Sequence, residues 1–339
     1  MTGSFPLLSD LSHDQEADFF ALLSARESLT TKDGKPYFRV TFRDSKRAVS
    51  FPIWGDSTWA LECREQWVVG EFYKLRAQYR DTNFGPQLEI RKIRPATEAD
   101  QADGFSAAMC QVRSRYDSQE MFDSLVALIK GALKEGPLLD LVLGILNQYQ
   151  EVLLELPAAK HNHHARLGGY LEHVLSVTKT CAYLADKYAD LYPNLQPPLD
   201  KELVIAGGVL HDIGKVREMK STPMGAEYTP AGTLIGHILQ GRDILREAAS
   251  NHSIDQEKLL RLEHIIVAHQ RLPEWGSPKP PMTLESLIVH HADDLDAKLE
   301  MMVNILNDDT TDGPMTSSRN ALRTRLYRGE EDADPKEDG

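Results

Sequence analysis

The stretch Val204-Ile205-Ala206-Gly207-Gly208-Val209-Leu210-His211-Asp212-Ile213-Gly214-Lys215 is an apolar run that ends in an adjacent imidazole and carboxylate. Its length and composition read as a buried helix, and Gly214 lets the backbone turn directly after it. A neutral imidazole beside a carboxylate, whose two oxygens can bridge a pair of cations, suits Mn²⁺, Fe²⁺, Zn²⁺ or Ni²⁺, and Mg²⁺ less well. A lone His-Asp pair is common by chance and by itself reads as an ion-paired surface turn. Its neighbours change that reading.

His173 lies 38 positions upstream of His211, and Asp293 lies 81 positions after Asp212. His237 and His269 fall between them. Each of these four sits in apolar helical sequence, where an uncompensated polar group is costly. Any one alone reads as a satisfied core histidine or a surface acid; together beside His211-Asp212 they read as a metal site. Histidine usage agrees, since 11 of the 12 fall between His161 and His291. Such clustering points to metal ligation.

Outward from this centre, helical periodicity predicts helices over residues 118–133, 138–156 and 168–188. Pro137 stands in a first turn, another helix starts at Asp200, and Thr229-Pro230 is an N-cap followed by a first-turn proline. Further helices are expected over 253–269 and 283–306, with no strand after residue 118. Upstream, residues 17–28, 37–43, 48–54, 71–79 and 87–93 read as strands, with a short helix over 57–66 after the third. Five strands in that order are those of an OB-fold barrel. Residues 98–117 show little apolar periodicity and read as a linker. The expected architecture is multidomain α and β: an OB-like five-stranded β-barrel in 1–97, an all-α domain in 118–327, and an acidic, disordered tail in 328–339.

The 339 residues carry a net charge of −13, which taken alone argues against nucleic-acid binding by bulk positive charge. Residues 1–97, however, hold 14 Lys/Arg against 13 Asp/Glu, so the excess acid lies in the remainder. Cys63, Cys110 and Cys181 are widely spaced and odd in number, which suits a reducing compartment rather than a disulfide framework. The first residues lack a basic segment followed by an apolar one, and no apolar run reaches the ~18–20 residues of a membrane span. A cytoplasmic protein without membrane attachment is expected.

The order His173, His211-Asp212, Asp293 resembles the signature of the HD-domain metal phosphohydrolases, and His237 with His269 resembles the two-metal branch. The likeness extends to the YhaM-like 3′-5′ exoribonucleases, in which an OB-fold precedes the HD domain. It is carried by Pro157-Ala158-Ala159-Lys160, Asn162-His163-His164, Gly168-Gly169-Tyr170-Leu171-Glu172-His173, Glu227-Tyr228-Thr229, Glu274-Trp275-Gly276-Ser277-Pro278 and Ala292-Asp293-Asp294-Leu295-Asp296-Ala297-Lys298.

The resemblance implies that His173, His211, Asp212 and Asp293 hold one divalent ion, with Asp212 bridging to a second held by His237 and His269. Mn²⁺ is the first expectation, with Fe²⁺, Co²⁺, Ni²⁺ or Mg²⁺ as alternatives. Asp212, Lys215 and His164 are the catalytic candidates, and Lys160, His163 and Trp275 the substrate-binding ones. The implied reaction is in-line attack of activated water on phosphorus, releasing 5′-mononucleotides from single-stranded RNA, or from DNA. A homo-oligomer is implied at the level of the family. One departure stands out: His269-Gln270 occupies the place of an expected His-His pair, and an amide is a poor metal ligand.

On the N-terminal strands Arg39, Arg43, Arg76, Arg80, Arg91 and Arg94 alternate with Tyr37, Phe42, Tyr73, Tyr79 and Phe84. Arg39 and Tyr73 are the leading candidates for a phosphate contact and a base platform. The same alternation also fills a barrel and solvates its outside. Two rival functions remain open. One is an HD phosphohydrolase of a small nucleotide; the other is a non-catalytic nucleic-acid-binding protein with a degenerate metal site.

Overall fold

In the N-terminal part, period-two alternation produces β1 (Glu16–Thr30), β2 (Pro36–Arg43), β3 (Ala48–Trp54), β4 (Phe72–Thr82) and β5 (Gly85–Pro95), with α1 (Ala60–Glu65) after the third strand. The computed structural model describes residues 5–83, 85–160 and 162–329. Phe84 and all but the first two residues of the expected acidic tail lie outside them. All ladders are antiparallel, in the order β3-β2-β1-β4-β5. β1 pairs with β4 along Glu16–Leu22 and then with β2 along Leu22–Thr30. A register shift between Leu23 and Ala25 bends the long strand from one neighbour to the other. Phe19, Val40, Phe42, Val49, Phe51, Tyr73 and Leu75 pack on one face, with Cys63 and Trp67 over them.

The five antiparallel strands are those expected of an OB-like domain, and the barrel is not closed. β3 and β5 remain its two edges, with no ladder joining them among the described residues. Pro52 in β3 and Pro86 in β5 have no amide proton to give. The Trp59 indole N–H donates to the Ile90 carbonyl at 3.1 Å, taking an acceptor on β5.

The stretch read as a linker also differs. Contacts group the described residues up to Arg113, with Ser221–Gly225, into one compact unit. Within it Asp100 is buried and accepts from Arg94 at 2.5 and 2.7 Å, and Phe105 packs 4.9 Å from Phe20. Single anchors joined by short 3₁₀ turns carry no helical or strand period to read.

The second unit takes Ser114–Lys220 and the described residues from Ala226 onward. It contains α2 (Ser118–Ala132), α3 (Pro137–Leu153), α4 (Gly169–Leu191), α5 (Lys201–Leu210), α6 (Lys215–Glu218), α7 (Pro230–Ile235), α8 (His237–Ala249), α9 (Gln256–Ala268) and α10 (Leu284–Asp308). The side chains of Asp117, Asp200, Thr229, Asp255 and Thr283 accept from backbone N–H groups three residues on, each capping its helix. Every residue of α5 from Leu203 to Leu210 is buried, as an unbroken apolar helix must be.

The expectation of no strand after residue 118 is overturned by a hairpin of β6 (Met219–Thr222) and β7 (Gly225–Tyr228). Four-residue strands are too short to show a period, but the turn is chemically sound. The Thr222 hydroxyl accepts from the Met224 N–H at 3.2 Å and donates to the Gly225 carbonyl at 3.0 Å. At the other end, Arg328 is ion-paired with Asp309, so the fold continues past residue 327. Among the described residues no helix is long and apolar enough to cross a membrane.

Candidate metal centre

Five helices bring their polar residues to one buried point. α4 supplies His173 near its start; α5 delivers His211 and Asp212 at its end. α8 opens on His237, α9 closes on His269, and α10 supplies Asp293. The two oxygens of Asp212 divide the group. Its Oδ2 lies 3.6 Å from His173 Nε2 and 3.5 Å from His211 Nε2. Its Oδ1 lies 3.4 Å from His237 Nε2 and 3.5 Å from His269 Nε2. Asp293 Oδ1 completes the first set, 3.2 Å from His173 Nε2 and 3.8 Å from His211 Nε2.

All four imidazoles turn Nε2 inward because each Nδ1 is held from behind. His211 Nδ1 donates to the Gly208 carbonyl at 2.8 Å and His269 Nδ1 to the Ile266 carbonyl at 2.7 Å. His173 Nδ1 is 2.7 Å from Asp296 Oδ2, and His237 Nδ1 is 2.9 Å from Glu218 Oε1. Asp296 is itself fixed by the Ser176 hydroxyl at 2.5 Å. Outer partners of this kind orient metal-ligating histidines and set their tautomers.

Two atoms at the centre, Asp212 Oδ1 and His269 Nε2, are buried without a hydrogen-bond partner. Burying such groups unsatisfied costs free energy that a cation between them removes. The donor set of imidazole nitrogens and carboxylate oxygens therefore fits a divalent metal.

Close approach of backbones makes this possible. A Cβ on Gly214 would stand 1.8 Å from the His237 carbonyl oxygen and 2.5 Å from the Gly241 nitrogen. Only glycine lets the turn after Asp212 lie against the start of α8.

The electrostatics follow from the packing. Burial opposes charge on Asp212, but the Lys215 ammonium, 2.5 Å from its Oδ2, and the surrounding imidazoles hold its carboxyl well below the usual range. Burial also works against protonated His173, yet Asp293 and Asp296 beside it raise it to about 9. His211, with burial the larger influence, is lowered to about 4.

Two cavities open on the cluster. One of about 480 Å³ is lined by Asp212, His269 and Asp293; the other, of about 340 Å³, by His237, Tyr228 and Ile238. His163, Lys215, Gln270 and Trp275 line both. His163 is pushed down to about 3 by burial and by Lys215. Lys160 is exposed, its ammonium 5.8 Å from the Tyr228 ring, and the Lys298 ammonium stands as far from the Trp275 ring. Gln270 Nε2 lies 3.3 Å from His237 Nε2.

Two sequence candidates lie elsewhere or differently than expected, and most of the strand arginines are neutralised. His164, assigned to catalysis, is absent from both cavities; its Nε2 is 3.1 Å from Asp296 and its Nδ1 3.3 Å from Arg166. It braces the carboxylate behind His173. Tyr73, assigned to base stacking, is 1% exposed and its hydroxyl accepts from the Val68 N–H in the core of the sheet. Arg39 is exposed as expected of a phosphate contact, but Arg76, Arg80, Arg91 and Arg94 are ion-paired with Asp18, Glu89, Glu16 and Asp100. Sequence reasoning also missed Asp296, Glu218 and Trp54. Asp296 shares a helix face with Asp293, three residues before it, which was a readable signal. Trp54 is half-exposed, its ring 5.2 Å from that of Tyr37, its cross-strand partner, and tilted 39° to it.

Residues 170–298 match the HD domain family. The chain is 33% identical over 295 residues to the 3′-5′ exoribonuclease YhaM of Bacillus licheniformis, covering 85% of this chain and 87% of that one. It is equally similar to 3′-5′ exoribonuclease YhaM of Listeria monocytogenes serotype 4b, over 88% of this chain and 90% of that protein. The chain belongs to the YhaM family. As a YhaM-family protein with an HD domain, it is an enzyme of the hydrolase class. No solved structure matches it.

Proposed function

We propose that this YhaM-family hydrolase is a metal-dependent 3′-5′ exonuclease that removes 5′-mononucleotides from single-stranded RNA, in the cytoplasm, with DNA a second substrate. The observation that carries the reading is the divided Asp212 carboxylate, each oxygen facing its own pair of inward-turned imidazoles. His173, His211, Asp212 and Asp293 would hold one divalent ion, and Asp212, His237 and His269 a second. Bound there, such cations neutralise charge on phosphoryl oxygens and lower the pKa of water. The imidazole-carboxylate donor set favours Mn²⁺, Fe²⁺, Co²⁺ or Ni²⁺ over Mg²⁺. Gln270 offers only an amide beside His237, which makes the second ion the weaker one.

The protein's own groups account for the rest. The Lys215 ammonium lines both cavities and donates to the phosphoryl oxygens of a phosphodiester laid over Asp212. His163 hydrogen-bonds to the same phosphate or to the leaving 3′-oxygen. The cavity between Tyr228 and Trp275 takes the terminal nucleotide, with Lys160 at its rim. In the domain of residues 1–97, Arg39 contacts a phosphate, and the Tyr37–Trp54 pair supplies the stacking platform in place of Tyr73.

A metal titration with 5′-labelled single-stranded RNA tests this. Metal-stripped protein is expected to be inactive, and Mn²⁺ to restore a ladder that shortens from the 3′ end. Calorimetry is expected to resolve one tight and one weaker ion. Asp212→Ala is expected to lose at least 10³-fold in rate and both ions. Turnover of free nucleotides with intact RNA would replace the exonuclease reading with a small-nucleotide phosphohydrolase.

A further inference from the structure

After α10 the chain doubles back along residues 309–329. Asp309 accepts from the N–H groups of Thr311 and Ser317 and pairs with Arg328. Thr316 and Leu326 are buried, and Thr316 both donates its N–H to the Leu326 carbonyl and accepts the Leu326 N–H on its hydroxyl, each at 2.9 Å. The segment is therefore a stapled strap with a defined course.

Its composition is unlike that of the unit that carries it. Between Gly313 and Gly329 there are four arginines and no aspartate or glutamate. Arg328 is committed to Asp309. Arg319, Arg323 and Arg325 are exposed and make no ion pair among the described residues. Free cations of this kind are the opposite of the strand arginines, most of which carboxylates have neutralised.

The strap also has a direct route to the metal centre. Ala321 and Leu322 line the 480 Å³ cavity that holds Asp212 and Asp293. An adjoining cavity of about 460 Å³ is lined by Arg319, Asn320, Ser317 and Asn304. The two share Asn162, Met301 and Ala321, so one groove runs from the ligand cluster to Arg319. Asp308 and Asp309 line the same cavity as Arg319, and Asp309 is already paired with Arg328; Arg323 and Arg325 line neither cavity and continue the strap beyond the groove.

We propose that this strap is a phosphate-binding site. Arg319, Arg323 and Arg325 hold the backbone phosphates of a single RNA strand on the 5′ side of the phosphodiester that lies over Asp212. The assignment of which bond is cut rests on the exonuclease reading; the binding itself does not. Guanidinium groups suit the task because they present fixed forks of donors to phosphate and cannot be deprotonated.

The test uses the full chain and a 5′-fluorescein oligoadenylate dodecamer, with binding read by anisotropy in EDTA, where no turnover occurs. Each phosphate that no longer meets a guanidinium is expected to remove roughly 0.7 from the slope of log affinity against log salt. The triple variant R319A/R323A/R325A is therefore expected to bind at least tenfold more weakly at low salt, with a slope shallower by about 2. The triple lysine variant is expected to recover the slope. Hydrolysis of bis(p-nitrophenyl) phosphate in Mn²⁺ is expected to stay at the wild-type rate in both.

An unchanged salt slope in the alanine variant overturns the proposal. So does a loss of p-nitrophenyl ester hydrolysis as large as the loss of binding, since the strap would then be only a structural prop. If the wild type degrades no RNA but the slope change appears, the exonuclease reading fails and the strap stands. If RNA is degraded and the slope is unaffected, the strap fails alone.

Discussion

Glu172 stands one residue before His173 yet faces away from the metal centre. It accepts from Arg166 at 2.9 and 3.1 Å and from the Ser114 hydroxyl at 2.7 Å, and Arg166 reaches on to Glu300 at 2.7 Å. Burial would raise its carboxyl, but His164, Arg166 and Ser114 lower it to about 2. A carboxylate depressed in the folded state stabilises fully above its unfolded pKa, near 4.5, and loses that contribution as pH falls toward 2. Glu172→Gln is therefore expected to be less stable than wild type at pH 7, on the order of 2 kcal/mol, and to converge with it near pH 2. Urea midpoints measured across that range check it; parallel curves at all pH values refute it. At this scale the sequence was legible where a residue's role depends on local pattern. His211 and His269 bond the carbonyl three residues earlier in their own helices, so their inward Nε2 atoms follow from helix ends alone. Asp296 had its spacing from Asp293 as a signal, but its partner His173, like Glu218's partner His237, could be named only once the fold had joined α10 to α4 and α6 to α8. Tyr73 failed for the reverse reason, because alternation tells which residues share a face but not which face is buried.

Among the elements, the turn between α5 and α6 is the most tightly specified. The atoms a Gly214 Cβ would strike are backbone atoms at the start of α8, which cannot rotate aside. Gly214→Ala is expected to cost about 3 kcal/mol or more, the upper end of overpacking. It is also expected to displace His237 and abolish the second ion proposed for Asp212, His237 and His269 in calorimetric titration. Gly131 in α2 supplies the contrast, since its Cβ would meet nothing within 4 Å. Gly131→Ala is expected to raise the melting temperature slightly, by removing chain entropy worth ~0.4–1 kcal/mol. Equal destabilisation by both changes would contradict the steric account. Helices were legible where caps and long periods coincide, as at Thr229-Pro230 and Asp200. The β6–β7 hairpin and the turns after Thr97 were not, because short elements held by individual side chains leave no periodic trace.

Across the whole chain, charge decides what each part can bind. The sequence average of −13 hides a near-neutral N-terminal third, and that third hides a further cancellation seen only in the fold. Four of its six strand arginines are paired with carboxylates of the same unit and Arg43 donates to the Pro223 carbonyl, leaving Arg39 near Tyr37 and the half-exposed Trp54 on β2 and β3. The strand recognition proposed there would rest on stacking and one cation, with little bulk charge behind it. Base stacking on an aromatic side chain contributes ~1–3 kcal/mol per base. Arg39→Ala combined with Trp54→Ala is thus expected to lower kcat/KM on a long single strand by roughly ten- to a hundredfold through KM. A dinucleotide, on the proposed reading held by the catalytic unit alone, is expected to be cleaved at the wild-type rate. Comparing the two substrates in one steady-state series separates a binding platform from a scaffold. An equal loss on both would mean that these side chains stabilise the sheet, and that strand capture lies wholly with the catalytic unit.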